Sequence, residues 1–292
     1  MKKPIELRSL RDFGQVINDS FTFFKDNFKP LFTILLIICG FFILIGTVSS
    51  IFTYLKMIGV YSGGYHIYNQ PGYSVSYIIN VIVNLFIIML TQAFIHLVTL
   101  CYISVYLQKN NTTPTLTEVW DYFKYYFLRM LGSGILILVS LSIGFVLCLL
   151  PGIYLMPIFY LIIPIIVVEN STFGYAYTKS FRLIKGNWWL VFGVIFIMSL
   201  IISMASSFVS IPITVITLGS KFLTLRSFTL PVIIIFSALR NVLMLAYALP
   251  TIAVTLCYFS LSEQKDGIGL LNRIDKFGKS DISDPSLPGE QY

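Results

Sequence analysis

From Leu31 to Leu55 the chain carries no charged residue. Five more apolar runs follow at about 78–106, 130–150, 153–168, 188–211 and 238–261, with Arg240 the single charge among them. Such runs have few structural options. A bilayer core takes about 20 apolar residues as a helix, and a helix satisfies every backbone N–H and C=O within its own segment. The expected fold is therefore all-α and integral to a membrane, with six transmembrane helices. The second run is longer than a bilayer requires, so it is expected to tilt or protrude.

Composition agrees. The 292 residues are 57% hydrophobic and 11% charged, against roughly 25% charged in a soluble domain. The first apolar run starts too late and is too long for a signal h-region, so it is expected to remain as a span. Cys39, Cys101, Cys148 and Cys257 lie singly in apolar runs. That pattern suits buried small hydrophobes rather than a disulfide framework or a zinc site. The richness in Ile, Phe, Lys, Asn and Tyr suggests a bacterium with an AT-rich genome.

Basic residues set the expected orientation. Sixteen fall in the N-terminal segment, the loops after the second and fourth spans, and the tail after the sixth; Lys56, Lys221 and Arg226 fall on the other side. The positive-inside rule then puts both termini in the cytoplasm of a bacterial inner membrane. The net charge of +7 points to anionic lipid headgroups rather than nucleic acid.

The chain also repeats itself. Ser20–Phe32, SFTFFKDNFKPLF, aligns with Ser180–Phe192, SFRLIKGNWWLVF, pairing Lys25 with Lys185, Asn27 with Asn187, Phe28 with Trp188 and Phe32 with Phe192. Each copy reads as an amphipathic approach, a Lys-x-Asn-aromatic corner and a span. A looser copy, WDYFKYYFLRM, precedes the third span but lacks the corner. The spans are thus expected as three hairpins, 1–2, 3–4 and 5–6, each preceded by a cytoplasmic interfacial helix with aromatics toward the acyl boundary and bases toward phosphates. Residues 1–261 make one membrane domain, 262–279 a further amphipathic segment and 280–292 a disordered tail. Pro151-Gly152 is expected to turn between spans 3 and 4, and Pro157 and Pro164 to kink the fourth. The segment 212–237 is apolar but broken by Pro212, Gly219, Lys221, Arg226 and Pro231, and reads as a loop, a re-entrant piece or an interfacial helix.

The stretch PGIYLMPIFYLIIPIIVVENSTFGYAYTKSFRLIKGNWW resembles bacterial six-span proteins related to the membrane domain of glycerophosphoryl diester phosphodiesterases. The ending GIGLLNRIDKFG resembles that of stand-alone members. The sharp part of the resemblance is about Pro151–Trp189. It implies amphipathic and membrane helices and implies no catalysis, because the phosphodiesterase barrel is a separate domain.

Enzymatic chemistry finds little support. A metal or acid–base site needs clustered His or carboxylates, and the chain has only His66 and His96. No HExxH, GxSxG or phosphate-cradling Gly loop is present. The expectation is a non-enzymatic protein without cofactor or metal. Its candidate lipid- or partner-binding residues are Lys25, Asn27, Phe28, Lys179, Arg182, Lys185, Asn187, Trp188 and Trp189. The partner is anionic lipid, another membrane protein or a second copy.

A second candidate is the polar face of span 2, where Asn80, Asn84, Thr91, Gln92, His96 and Thr99 share about half a helix. Such a face serves either a small-solute or lipid path or hydrogen bonds between helices. Arg240 either needs a partner inside the membrane, if its helix begins near Pro231, or snorkels to the outer interface. Glu169 is placed to pair with Lys179 or Arg182. Ser199, Ser203 and Ser207 recur every four residues, a spacing that suits close helix packing, read as inside the monomer with a dimer face as the alternative.

Overall fold

The computed structural model describes residues 5–62, 71–109, 111–147, 149–219 and 226–267. They form α1 (Phe13–Asp26), α2 (Phe28–Ser62), α3 (Pro71–Gln108), α4 (Leu116–Leu147), α5 (Leu149–Glu169), α6 (Phe173–Ile184), α7 (Trp188–Gly219), α8 (Arg226–Leu243), a 3-10 turn (Met244–Tyr247) and α9 (Ala248–Asp266). No strand occurs among the described residues. Six segments are long and apolar enough to cross a membrane: Phe28–Met57, Val75–Gln108, Leu116–Val146, Leu150–Glu169, Trp188–Ile216 and Leu230–Asp266. The chain is an all-α, multi-pass membrane protein.

The short helices α1 and α6 are fixed by local chemistry. Asp12 caps α1: its Oδ1 accepts from the Gln15 N–H at 2.7 Å, and its own N–H donates to Gln15 Oε1 at 3.1 Å. This reciprocal box satisfies two orphan donors of the first turn. Val16, Ser20 and Phe23 form the buried stripe of α1, and Ala176, Ser180 and Leu183 that of α6. Asn27 ends α1 and α2 begins at the next residue. Gly186, with φ of +89°, makes the equivalent corner between α6 and α7, a conformation that favours a residue without Cβ.

The middle copy of the repeat behaves differently. No separate helix precedes the third apolar helix, because α4 runs unbroken from Leu116 through 130. The segment lacks the Asn or Gly corner that stops α1 and α6, and its Val119, Phe123 and Tyr126 are buried against the core. Three other expectations are corrected. Pro151 and Gly152 are not a turn but the opening of α5, where a proline's missing N–H costs nothing. A Cβ on Gly152 would lie 2.6 Å from the Phe145 ring, so glycine permits this close return. Within 212–237, α7 continues through Pro212 to Gly219, and α8 begins at Arg226. Ser199, Ser203 and Ser207 lie on the exposed face of α7, not inside the monomer.

α2 packs with α3 and α4 with α5, while α7 packs against both α8 and α9. The axis of the bundle is α9, in which every residue from Ala248 to Ser262 is buried. It touches α1, α3, α5, α6 and α7. A helix apolar and buried all round is a core element. Pro250 explains the turn before it: proline lacks an N–H and its ring crowds the carbonyl four residues earlier, at Ala246. By contrast, α4 turns Ile135, Leu136, Leu138, Val139 and Ile143 outward. His66, Cys148, Lys221, most of the expected amphipathic segment (268–279) and the expected tail (280–292) lie outside the described residues.

Candidate functional site

The charged side chains of α6, α9 and the N-terminal segment meet at one end of the bundle. Glu169, the last residue of α5, receives the Lys179 ammonium at 2.6 Å and the Tyr258 hydroxyl. Lys179 also lies 3.1 Å from Asp266, which binds Arg182 at 2.8 Å. Lys265 caps the end of α6 by donating to the carbonyls of Arg182 and Lys185. The α9 terminus thereby fastens the amphipathic helix from below. Burial alone would lower the Lys179 pKa, but the hydrogen bonds and charges of Glu169 and Asp266 outweigh it and hold it above its ordinary value.

Arg11 makes the matching tie for the N-terminal segment. Its guanidinium bonds Asp19 at 2.8 Å, the Leu7 carbonyl at 2.8 Å and the Glu6 carbonyl at 2.5 Å. Its backbone N–H donates to Ser260 Oγ on α9 at 2.9 Å. Between these two ties lies a cavity of about 260 Å³ lined by Arg8, Glu169, Tyr175, Lys179, Tyr258, Ser262 and Glu263, with Val168 and Phe259.

The two corners of the repeat are built alike. Asn27 accepts from the Tyr102 hydroxyl of α3 at 2.9 Å. Asn187 donates to Gln264 of α9 at 3.1 Å. Each asparagine is tied to the last helix of its own unit. Phe28 stacks on Phe32 with centroids 5.4 Å apart, and Trp188 stacks on Phe192 at 4.8 Å. Beside these rings Lys25, Lys29, Lys185 and Trp189 are exposed, as is the Phe28 ring itself, Trp189 to 78%. In the middle unit the Lys124 ammonium stands over the Trp120 ring at 5.5 Å.

The expected binding residues therefore divide. Lys25, Phe28, Lys185 and Trp189 face outward. Asn27, Asn187 and Trp188 position the corner, Trp188 by donating to the Tyr154 carbonyl at 3.0 Å. Lys179 is buried in an ion pair and is withdrawn as a headgroup contact; Arg182 is exposed but engaged by Asp266. Sequence reasoning missed Arg11, Tyr102, Tyr258 and Asp266. Asp266 left one signal, a carboxylate just past the last apolar run.

The polar face of α3 is largely consumed by the fold. Asn84 donates to Ser49 at 3.1 Å and Ser50 at 3.2 Å on α2, and Asn80 bonds the Ser76 carbonyl of its own helix at 3.2 Å. His96 Nδ1 bonds Thr251 of α9, and Gln92 is half-buried. Arg240 lies inside α8, and its partner is the Tyr54 hydroxyl at 2.5 Å. Beside it Asn241 reaches Ser50 at 3.4 Å. Among the described residues the Ser237 hydroxyl is the buried side-chain polar atom without a partner, and no group of three or more His, Cys, Asp or Glu is placed to hold a metal.

Comparison with protein-family models, curated proteins and solved structures finds no match to this chain.

Proposed function

We propose that this protein is a non-enzymatic component of a bacterial inner membrane. In this reading it gathers anionic lipid headgroups at the cytoplasmic face through the corners Lys25/Phe28/Lys29 and Lys185/Trp189. The observation that carries the reading is the paired construction of the corners. Each repeats an internally tied asparagine, a stacked aromatic and an outward lysine on the same end of the bundle. Rigid aromatics at headgroup level beside bases suit an anionic leaflet. The excess of basic residues on this side supports a cytoplasmic orientation.

The test uses the purified protein in nanodiscs containing phosphatidylglycerol in a phosphatidylcholine background, read by native mass spectrometry of retained lipid. Lys25→Glu and Lys185→Glu together are expected to abolish the preference for phosphatidylglycerol while leaving thermal unfolding unchanged. Equal retention by variant and wild type overturns the reading.

A further inference from the structure

A second cavity, also about 260 Å³, lies between the spans rather than at the charged end. Leu141 of α4, Phe159 and Ile163 of α5 and Val254 of α9 supply its apolar walls, with His96 of α3 and Thr251 of α9. Tyr160, 38% exposed, also lines it, so the crevice opens on the outer surface of the bundle. The walls carry no Asp, Glu, Lys or Arg. Tyr102, bonded to Asn27, marks the level of the corner. His96 stands six residues earlier on α3, about 9 Å deeper at 1.5 Å per residue. The crevice therefore faces hydrocarbon rather than headgroups.

The hydrogen bonds orient the imidazole. Thr251 Oγ1 has one proton and gives it to the Tyr247 carbonyl at 3.0 Å. With its proton on that carbonyl it accepts from His96, and this arrangement belongs to the neutral tautomer protonated on Nδ1. Nε2 is left with a lone pair and has no partner among the described residues. The Tyr160 hydroxyl both donates and accepts, so it sets no preference of its own. An imidazole acceptor in a largely apolar slot, below headgroup depth, selects for an occupant. A phospholipid would have to drag its phosphate into hydrocarbon to reach Nε2, which is costly. An uncharged lipid alcohol sinks to this depth freely.

We infer that the crevice beside His96 binds a neutral membrane lipid through its hydroxyl group, which donates to His96 Nε2 while the chain lies along α4 and α5. This site is separate from the headgroup corners, though its depth rests on the reading that those corners stand at headgroup level.

The full-length protein in mild detergent, loaded with dioleoylglycerol, with its O-methyl ether or with its O-acetyl ester, is passed over a sizing column and its retained lipid quantified by mass spectrometry. The wild type is expected to retain the alcohol about fivefold over the ether, the effect of one net hydrogen bond. His96→Phe keeps the apolar wall and is expected to hold both equally. Leu141→Trp, filling the slot from its half-buried outer wall, is expected to lose both. Equal retention of alcohol and ether by wild type overturns the inference, as does retention of the acetyl ester above the alcohol. A preference undiminished in His96→Phe overturns it too. The wild-type comparison decides the matter even where His96→Phe fails to fold.

Discussion

Lys179 Nζ lies 2.6 Å from Glu169 Oε1, joining the middle of α6 to the end of α5, with both side chains largely shielded from solvent. Removing one member strands the other's charge. Lys179→Met is expected to cost about 3 kcal/mol, and adding Glu169→Gln to recover a large part of it. Denaturant or thermal unfolding in detergent reads both.

The same pair sets a pH dependence. The Lys179 pKa is raised above its ordinary 10.5. Its contribution is therefore complete below that pH and is lost as pH rises through the raised folded value. The melting temperature of wild type should fall more steeply above pH 10.5 than that of the Lys179→Met/Glu169→Gln variant. Parallel curves would show that the pair contributes no linked stability.

The two corner asparagines differ in burial, and their ties should differ in worth. Asn27 is 4% exposed, and Tyr102→Phe leaves its Oδ1 without the hydroxyl donor, at a cost of about 1–2 kcal/mol. The bond from Asn187 to Gln264 is exposed, so Gln264→Leu should shift stability by under about 0.5 kcal/mol. Comparable losses at both sites would contradict the burial argument.

Two glycines of α2 offer a packing test with an internal control. A Cβ at Gly46 would stand 2.9 Å from Asn241 Oδ1, whereas nothing lies within 4 Å of one at Gly40. Gly46→Ala is expected to destabilise by about 1–3 kcal/mol by pushing Asn241 off Ser50. Gly40→Ala should be neutral or stabilising by up to about 1 kcal/mol. A loss at Gly40 equal to that at Gly46 would place the effect elsewhere.

Much of this architecture is legible in the residues. Uncharged runs such as Leu31–Leu55 leave the chain only helical spans, and the Lys-x-Asn-aromatic echo marks the two places where a short helix bends into a long one. The middle copy shows the limit of analogy. Its aromatics resemble the others, but without a corner residue nothing stops the helix, and α4 continues. Lys179 shows another limit. Its position among bases suggests a lipid-facing charge. The sequence does offer Glu169, 10 residues before it, as a partner for it or for Arg182, but the second carboxylate, Asp266, 87 residues after it, is brought in by the approach of α9. Pairings such as His96 with Thr251 and Arg240 with Tyr54 are likewise set by which helices adjoin, and a hydropathy pattern does not encode that.

The helix at the centre of the bundle is also the last of the described helices to leave the ribosome. Because α9 contacts α1, α3, α5, α6 and α7, the earlier spans enter the membrane before the element that joins them exists. Until Ala248–Asp266 is inserted, the slot that α9 fills is lined only by lipid or by whatever assists insertion. Assembly of this protein is consequently completed late: a nonsense mutation ahead of α9 leaves pairs such as α2–α3, α4–α5 and α7–α8 without the buried helix on which α1, α3, α5, α6 and α7 all pack.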